Sequence, residues 1–237
     1  MTPAKHIVFL TGAGMSAESG FSTFRDSGGL WEQYPVEKVA TPEGWEADPA
    51  MVTEFYNRLR RQLVTAQPNE GHRLIAELET RYDVTVVTQN VDNLHERAGS
   101  HHVIHLHGEL MKACSSRHPD DARSIVSLPP ERPDIEPGTK AADGSLLRPY
   151  IVFFGEPVPR MTEACRAAER ADVFVIIGTS LNVYPAAGLL YSVPREARVF
   201  LIDPKPVDTH SARPVTTLAC TASEGMRRLL LTDEFRS

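Results

Sequence analysis

Ile7-Val8-Phe9-Leu10-Thr11-Gly12-Ala13-Gly14-Met15-Ser16 decides how the rest of the chain is read. Four consecutive apolar residues lead straight into a glycine turn, as a buried strand does before a helix. A strand apolar on both faces belongs to a sheet covered by helices on both sides. Stretches 84–88, 173–177 and 199–202 have the same short, β-branched character, and 103–106 and 150–154 are weaker strand candidates. Helix-like patterns follow at 69–81, 162–170 and 223–231. Strand alternating with helix predicts an α/β fold, a Rossmann-like doubly wound parallel sheet.

Two regions break the rhythm. Residues 26–68 look mostly helical and end near the basic run Arg58-Leu59-Arg60-Arg61, whereas 115–148 are polar and rich in proline, glycine and aspartate. The division expected is a Rossmann-like domain from 1–26, 73–108 and 149–237, with a small inserted helical module from 27–72 and 109–148.

At 237 residues, 41% hydrophobic and 24% charged, the chain suits one α/β domain with an appendage. A net charge of -6 gives no general attraction to nucleic acid or to anionic membranes, and weakly favours a basic partner such as a lysine-containing tail. Cys114, Cys165 and Cys220 are odd in number and form no CxxC pair, so neither a disulfide framework nor a thiolate metal site is expected. Reduced thiols in a cytoplasm fit this usage. No apolar run reaches membrane-spanning length, and residues 7–10 are too short for a signal-peptide core. The oligomeric state is not legible.

In Gly12-Ala13-Gly14 the glycines permit a tight turn and close approach to a phosphate, with the next helix offering amides and its positive dipole end. A merely structural turn is the alternative, since Ala17 stands where no glycine completes a GxGxxG pattern. Gly178-Thr179-Ser180 forms a second such turn after strand 173–177. Asp203, just past strand 199–202, is placed to accept ribose hydroxyls; a turn-former before Pro204 is the equal alternative.

Thr88-Gln89-Asn90-Val91-Asp92-Asn93-Leu94-His95 ends a strand in amides and acids, so Asn90 and Asp92 are placed to hold a polar heterocycle or amide. Helix capping would account for one of them. In His105-Leu106-His107-Gly108, alternation puts both histidines on one face. A general base is the favoured role and metal binding the rival, without a carboxylate or thiol at helical ligand spacing.

In this order, Gly12–Gly20 with Phe24-Arg25, Thr88–Asp92, His105–Gly108, Phe154-Gly155-Glu156 and Gly178–Val183 resemble the sirtuin family along nearly the whole chain. The resemblance implies an NAD-dependent protein lysine deacylase. Cofactor contacts would come from Gly12, Ala13, Gly14, Ser16, Ala17 and Glu18, and from Phe24 and Arg25 in a cofactor-binding loop. Gln89, Asn90 and Asp92 would line the nicotinamide pocket, with Gly178, Thr179, Ser180 and Asp203 at phosphate and ribose. An acyl-lysine protein or peptide would lie as an added strand against Phe154, Gly155, Glu156 and the segment ending at Val183. Its amide oxygen would attack the ribose carbon as nicotinamide leaves, with Asn90 and His107 catalytic and His107 the general base on a ribose hydroxyl. The products would be nicotinamide, O-acyl-ADP-ribose and free lysine. The rival activities on the same fold are ADP-ribosyl transfer and NAD hydrolysis, and a non-catalytic NAD sensor is a further rival.

Departures from the family pattern carry their own expectations. Most relatives have two cysteine pairs in the small module; here Cys114 is followed by Ser115-Ser116-Arg117, so a zinc-free protein is expected, with no metal ligands. Ala40 and Phe55-Tyr56 resemble the subgroup that removes acidic acyl groups, where a tyrosine and an arginine three positions later bind the carboxylate. Tyr56 is present, but the third position is Leu59, and one residue swings a helical side chain about 100°. Arg60 shares the face of Tyr56 at four positions. Neutral acyl groups are therefore expected, acetyl first; alternatively the run 58–61 is simply a solvated helix face. Ser22 stands where proline is usual, and Asp203 where asparagine is usual.

Overall fold

The computed structural model describes residues 4–21, 34–209 and 211–236. Phe24, Arg25 and Ser22 lie outside the described residues. Strands β1 (His6–Thr11), β2 (Asp83–Thr88) and β3 (Val103–His105) are followed by β4 (Gly108–Ser115), β5 (Val126–Ser127) and β6 (Leu147–Ile151), then β7 (Val173–Ile177), β8 (Arg198–Ile202) and β9 (Thr216–Leu218). The helices are α1 (Ala13–Ser16), α2 (Val36–Val39), α3 (Pro42–Ala47), α4 (Pro49–Thr65), α5 (Glu70–Leu78), α6 (Leu94–Ala98), α7 (Met161–Ala168) and α8 (Ala222–Leu230).

Six strands form one parallel sheet in the order β3-β2-β1-β7-β8-β9. Alternate residues feed two cores. Val8, Leu10, Phe174, Ile176, Val199 and Leu201 pack with Ala164, Ala167 and Ala168 of α7 on one face. Ile7, Phe9, Val173, Val175, Phe200 and Ile202 pack with Ile75 and Leu78 of α5 and Met226 and Leu229 of α8 on the other. Each such side chain contributes about 1.5–3 kcal/mol on burial. This two-sided burial makes the strands apolar throughout.

The chain reverses direction across the sheet between β1 and β7, the switch point where such folds open a crevice. Register aligns the strand ends there: Thr11 is opposite Thr88 and Ile177, Ile177 is opposite Ile202, and Thr88 is opposite His105. The next residues, Gly12, Gln89, Gly178, Asp203 and Leu106, therefore fall along one edge.

A second, antiparallel sheet in the order β5-β4-β6 lies outside this one. It corrects two expectations. The weak strand candidate at 150–154 belongs here as β6 rather than in the parallel sheet, and the insertion is a mixed module instead of a helical one. Its helices, notably α4, close a third core in which Trp45, Phe55, Tyr56 and Leu63 meet Leu110, Ile151 and Phe153. Strand β9 escaped the sequence reading because Thr216-Thr217-Leu218 is a half-exposed edge strand without an apolar run.

Candidate functional site

The two glycine turns are locked to each other. Gly12 N donates to Ile177 O at 3.0 Å, and Gly14 N donates to Gly178 O at 2.9 Å. A Cβ on Gly14 would stand 2.6 Å from Gly178 Cα, so the glycines are required by backbone approach. The structural-turn alternative thus accounts for Gly12 and Gly14 in part, since their amides are committed to β7. Ala13 lies between them at the start of α1. Glu18, expected at the cofactor, accepts from Ser223 N at 2.9 Å through Oε2, at the first turn of α8. That sets one carboxylate oxygen at a helix end, where a negative charge is favoured. Ala17, beside it, is exposed.

A polar network ties these turns to the segment after β2. Gln89 Nε2 donates to Thr179 Oγ1 at 2.9 Å, and Asn90 Nδ2 donates to Gly12 O at 3.0 Å and to Ser16 Oγ at 3.2 Å. Ser16 Oγ donates to Asp92 Oδ2 at 2.8 Å, while Asp92 Oδ1 accepts from Leu94 N at the start of α6. Asp92 thus makes a local turn just before α6, whose N-cap is Asn93, and is also a cross-link. Burial raises its carboxyl pKa, against the lowering effect of the Ser16 and Leu94 hydrogen bonds. The carboxamide oxygens of Gln89 and Asn90 are unspent in this network. At the other end of the edge, Asp203 accepts from Lys205 N through Oδ1 at 2.8 Å, a turn that leaves Oδ2 for a ligand.

His107 stands over the same segment. Its Nδ1 lies 2.9 Å from Gln89 O, an acceptor, so Nδ1 carries the proton and Nε2 the lone pair. Burial lowers its pKa below the ordinary histidine value, with the Gln89 hydrogen bond opposing in part. The imidazole is thus a neutral base of fixed tautomer. His105 turns to the adjacent carbonyl, Asn90 O, at 3.1 Å, and its Nε2 lies 2.7 Å from Glu96 Oε1. Two carboxylates, Glu96 and Glu109, do come near His105, which spacing in the sequence concealed. The 2.7 Å contact is that of a proton-sharing pair, and Glu109 is engaged by Lys112 at 2.7 Å.

Phe154, half exposed, and Gly155 (φ 92°) border the site, and Phe154 N donates to Ala40 O at 2.8 Å. Ala40 is buried. Val183 O accepts from Ala187 N, opening the 3-10 turn Ala186–Ser192. The carboxylate of Glu156 is bound by Arg148 at 2.8 Å and by Phe153 N, which makes it a structural brace for the cleft wall.

The basic run divides by helical phase. Arg58 pairs with Glu54 and Arg61 with Glu54 and Asp134 on the exposed side. Arg60 departs from the solvated-face alternative: it is fully buried and donates to Leu110 O at 2.7 Å and Asn57 Oδ1 at 2.6 Å. Its Nη2 and the hydroxyl of buried Tyr56 have no hydrogen-bond partner among the described residues. Burial lowers the Arg60 pKa to about 10.

The residues do not fit the zinc site of the family pattern. Cys114 is buried beneath Pro149 O with its thiol pushed up to about 12 by burial, and Cys165 and Cys220 lie elsewhere, on α7 and after β9. Where a metal would join the loops, Ser115 Oγ bonds Asp143 Oδ2 at 2.6 Å and Ser145 Oγ at 2.9 Å, and it accepts from the Arg117 and His118 amides.

A model described as the Sir2 family matches residues 12–185. The chain is 64% identical over 225 residues to an NAD-dependent protein deacylase of Bacteroides thetaiotaomicron, covering 95% of this chain and 96% of that one. It is 45% identical over 226 residues to an NAD-dependent protein deacylase of Helicobacter pylori, at 95% and 96% coverage. Among solved structures, a Sir2 homolog–NAD complex superimposes with a TM-score of 0.84 at 39% identity, covering 96% of this chain and 88% of that one. A Sir2 bound to acetylated peptide gives 0.79 at 28% identity, with 98% and 94% coverage. With these matches spanning both the sheet and the module, the chain belongs to the Sir2 family.

Proposed function

We infer that the protein is an NAD-dependent protein lysine deacylase and that His107 is its general base. The observation that carries the reading is the His107 imidazole, its pKa lowered by burial, locked through Nδ1 to Gln89 O, with Nε2 taking no hydrogen bond among the described residues. The donor set along that edge suits a nicotinamide dinucleotide. The Asp203 carboxylate would hold a ribose diol, the α1 end with Ala13, Ser180 and Thr179 would hold phosphate, and the Asn90 and Gln89 carboxamides with Asp92 would hold a nicotinamide amide. When bound, NAD+ supplies an electrophilic ribose carbon and the hydroxyl to which the acyl group is passed. His107 takes the proton from that hydroxyl. The Ser16–Asp92 and Asn90–Gly12 bonds hold the pocket walls, so that placement accompanies base catalysis.

The extended acyl-lysine peptide docks against the Phe154–Gly155 backbone and the Val183 segment. Neutral acyl groups are preferred, acetyl first, because Leu59 occupies the position of the carboxylate-binding arginine and Arg58 and Arg61 are paired outside. One observation favours a second reading. The Tyr56 hydroxyl and Arg60 Nη2, from one face of α4, are buried donors lacking an acceptor, and an acidic acyl chain reaching both would satisfy them. A panel of acetyl-, butyryl- and succinyl-lysine peptides with NAD+, products identified by mass, decides it. Succinyl turnover far above acetyl would overturn the neutral preference.

The lone buried Cys114 and the Ser115–Asp143–Ser145 cluster support a zinc-free module. Metal analysis of tag-free protein should find far less than one zinc per chain. Three unpaired cysteines and the lack of a membrane-crossing helix among the described residues favour a cytoplasmic location.

A further inference from the structure

His105 is brought by its pairing with Thr88 beside the segment that carries Gln89, Asn90 and Asp92. The ring is buried, with 4% of the side chain exposed. Its two nitrogens face the Asn90 carbonyl and the Glu96 carboxylate. A carbonyl only accepts, and so does an ionised carboxylate. A neutral imidazole has one proton and satisfies one of them, leaving a lone pair pressed against an oxygen in a buried place. An imidazolium satisfies both.

The charged surroundings agree. Glu96 faces the ring from α6, Glu109 and its partner Lys112 approach from β4, and Asp92 lies in the braced segment itself. Burial alone would depress the His105 pKa. The Glu96 hydrogen bond and charge, the Glu109 charge and the Asn90 carbonyl outweigh it and raise the pKa above the ordinary value. Glu96 is lowered in turn, against its own burial.

We propose that His105, held as an imidazolium between Glu96 and the Asn90 carbonyl, is a positioning residue that fixes the nicotinamide-pocket segment and sets the alkaline limit of activity. The proposal rests on the reading of Asn90 as a pocket residue. Asn90 is then gripped from both ends, its carbonyl by His105 and its side chain by Gly12 O and Ser16 Oγ. The brace is complete while His105 holds both protons and is lost as pH rises through its raised folded-state pKa. His107, two residues on, has the opposite requirement, since a base must be unprotonated. Two histidines pushed apart by their surroundings thus bound the working range from opposite sides.

Glu96→Gln tests this, because a carboxamide both donates and accepts. Gln at 96 can donate to the lone pair of a neutral His105, so the brace survives deprotonation. In the wild type, imidazole 15N NMR on the acid side of the alkaline limb should find both His105 nitrogens protonated. The nicotinamide inhibition constant should rise about tenfold across the alkaline limb, the loss of one charge-assisted hydrogen bond. In Glu96→Gln that rise should vanish, and in His105→Phe inhibition should be weak at every pH with the acyl-peptide KM unmoved. A His105 singly protonated on both sides of the alkaline limb, or an alkaline limb unchanged in Glu96→Gln, would overturn the proposal. The NMR result needs no turnover, so a failed brace is distinguishable from a failed deacylase assignment.

Discussion

His107 and His105 differ by two positions and by one interaction. The carbonyl of Gln89 gives His107 a tautomer and leaves burial to lower its pKa, whereas Glu96 gives His105 a counter-charge. Replacing His107 by alanine should lower turnover by about 10²–10⁴-fold, the usual worth of a general base, while NAD+ binding measured by calorimetry persists. Full turnover in that variant would remove His107 as the general base. The acid limb of kcat/KM should fall below pH ~6.5, because the lowered pKa keeps His107 neutral until pH drops through it. The sequence placed both histidines on one face but could not separate their roles. Glu96 and Glu109 reach His105 through folding, from α6 and β4, and no helical spacing announces them. The helix contact of Glu18 was hidden for a similar reason: its partner, Ser223, is 205 residues away.

Strands and turns were more legible because their signal is local. Two-sided burial writes itself into β1, β7 and β8 as apolar runs and into β2 as a valine-rich one broken by Thr85, and the glycines after β1 and β7 mark the switch point. What the pattern hid is that Gly14 serves the other turn. Gly14→Ala needs no special backbone angle, yet its Cβ would meet Gly178 Cα at 2.6 Å, backbone against backbone. The β1 and β7 turns must part to admit it, so melting temperature and NAD+ affinity should fall together. Gly144→Ala is the control. Its φ of 79° costs about 1–3 kcal/mol of local strain, but no atom lies within 4 Å, and NAD+ affinity should not change. Strand β6 was misassigned because Tyr150-Ile151 is apolar whichever sheet receives it; only pairing with β4 decides.

The two sheets are joined by chain segments that cross between them and by the third core around Phe55, Tyr56 and Phe153. That core and the Ser115–Asp143–Ser145 cluster hold the module together by packing and hydrogen bonding. Asp143→Ala should speed limited proteolysis within 116–146 while the thermal midpoint of the parallel-sheet domain stays put; unchanged cleavage would remove the cluster from the account. The module also delivers Ala40 O to Phe154 N, and so shapes the peptide cleft from outside the sheet.

All of this converges on transfer of an acyl group from lysine to the sugar of NAD+. Incubating the protein with an acetyl-lysine peptide and NAD+, and counting products by mass, reads that transfer directly. Equal amounts of nicotinamide, deacetylated peptide and O-acetyl-ADP-ribose are predicted, with deacetylated peptide and O-acetyl-ADP-ribose falling together by about 10²–10⁴-fold in His107→Ala. Free ADP-ribose formed without loss of the acetyl group, or nicotinamide release that ignores the peptide, would contradict it.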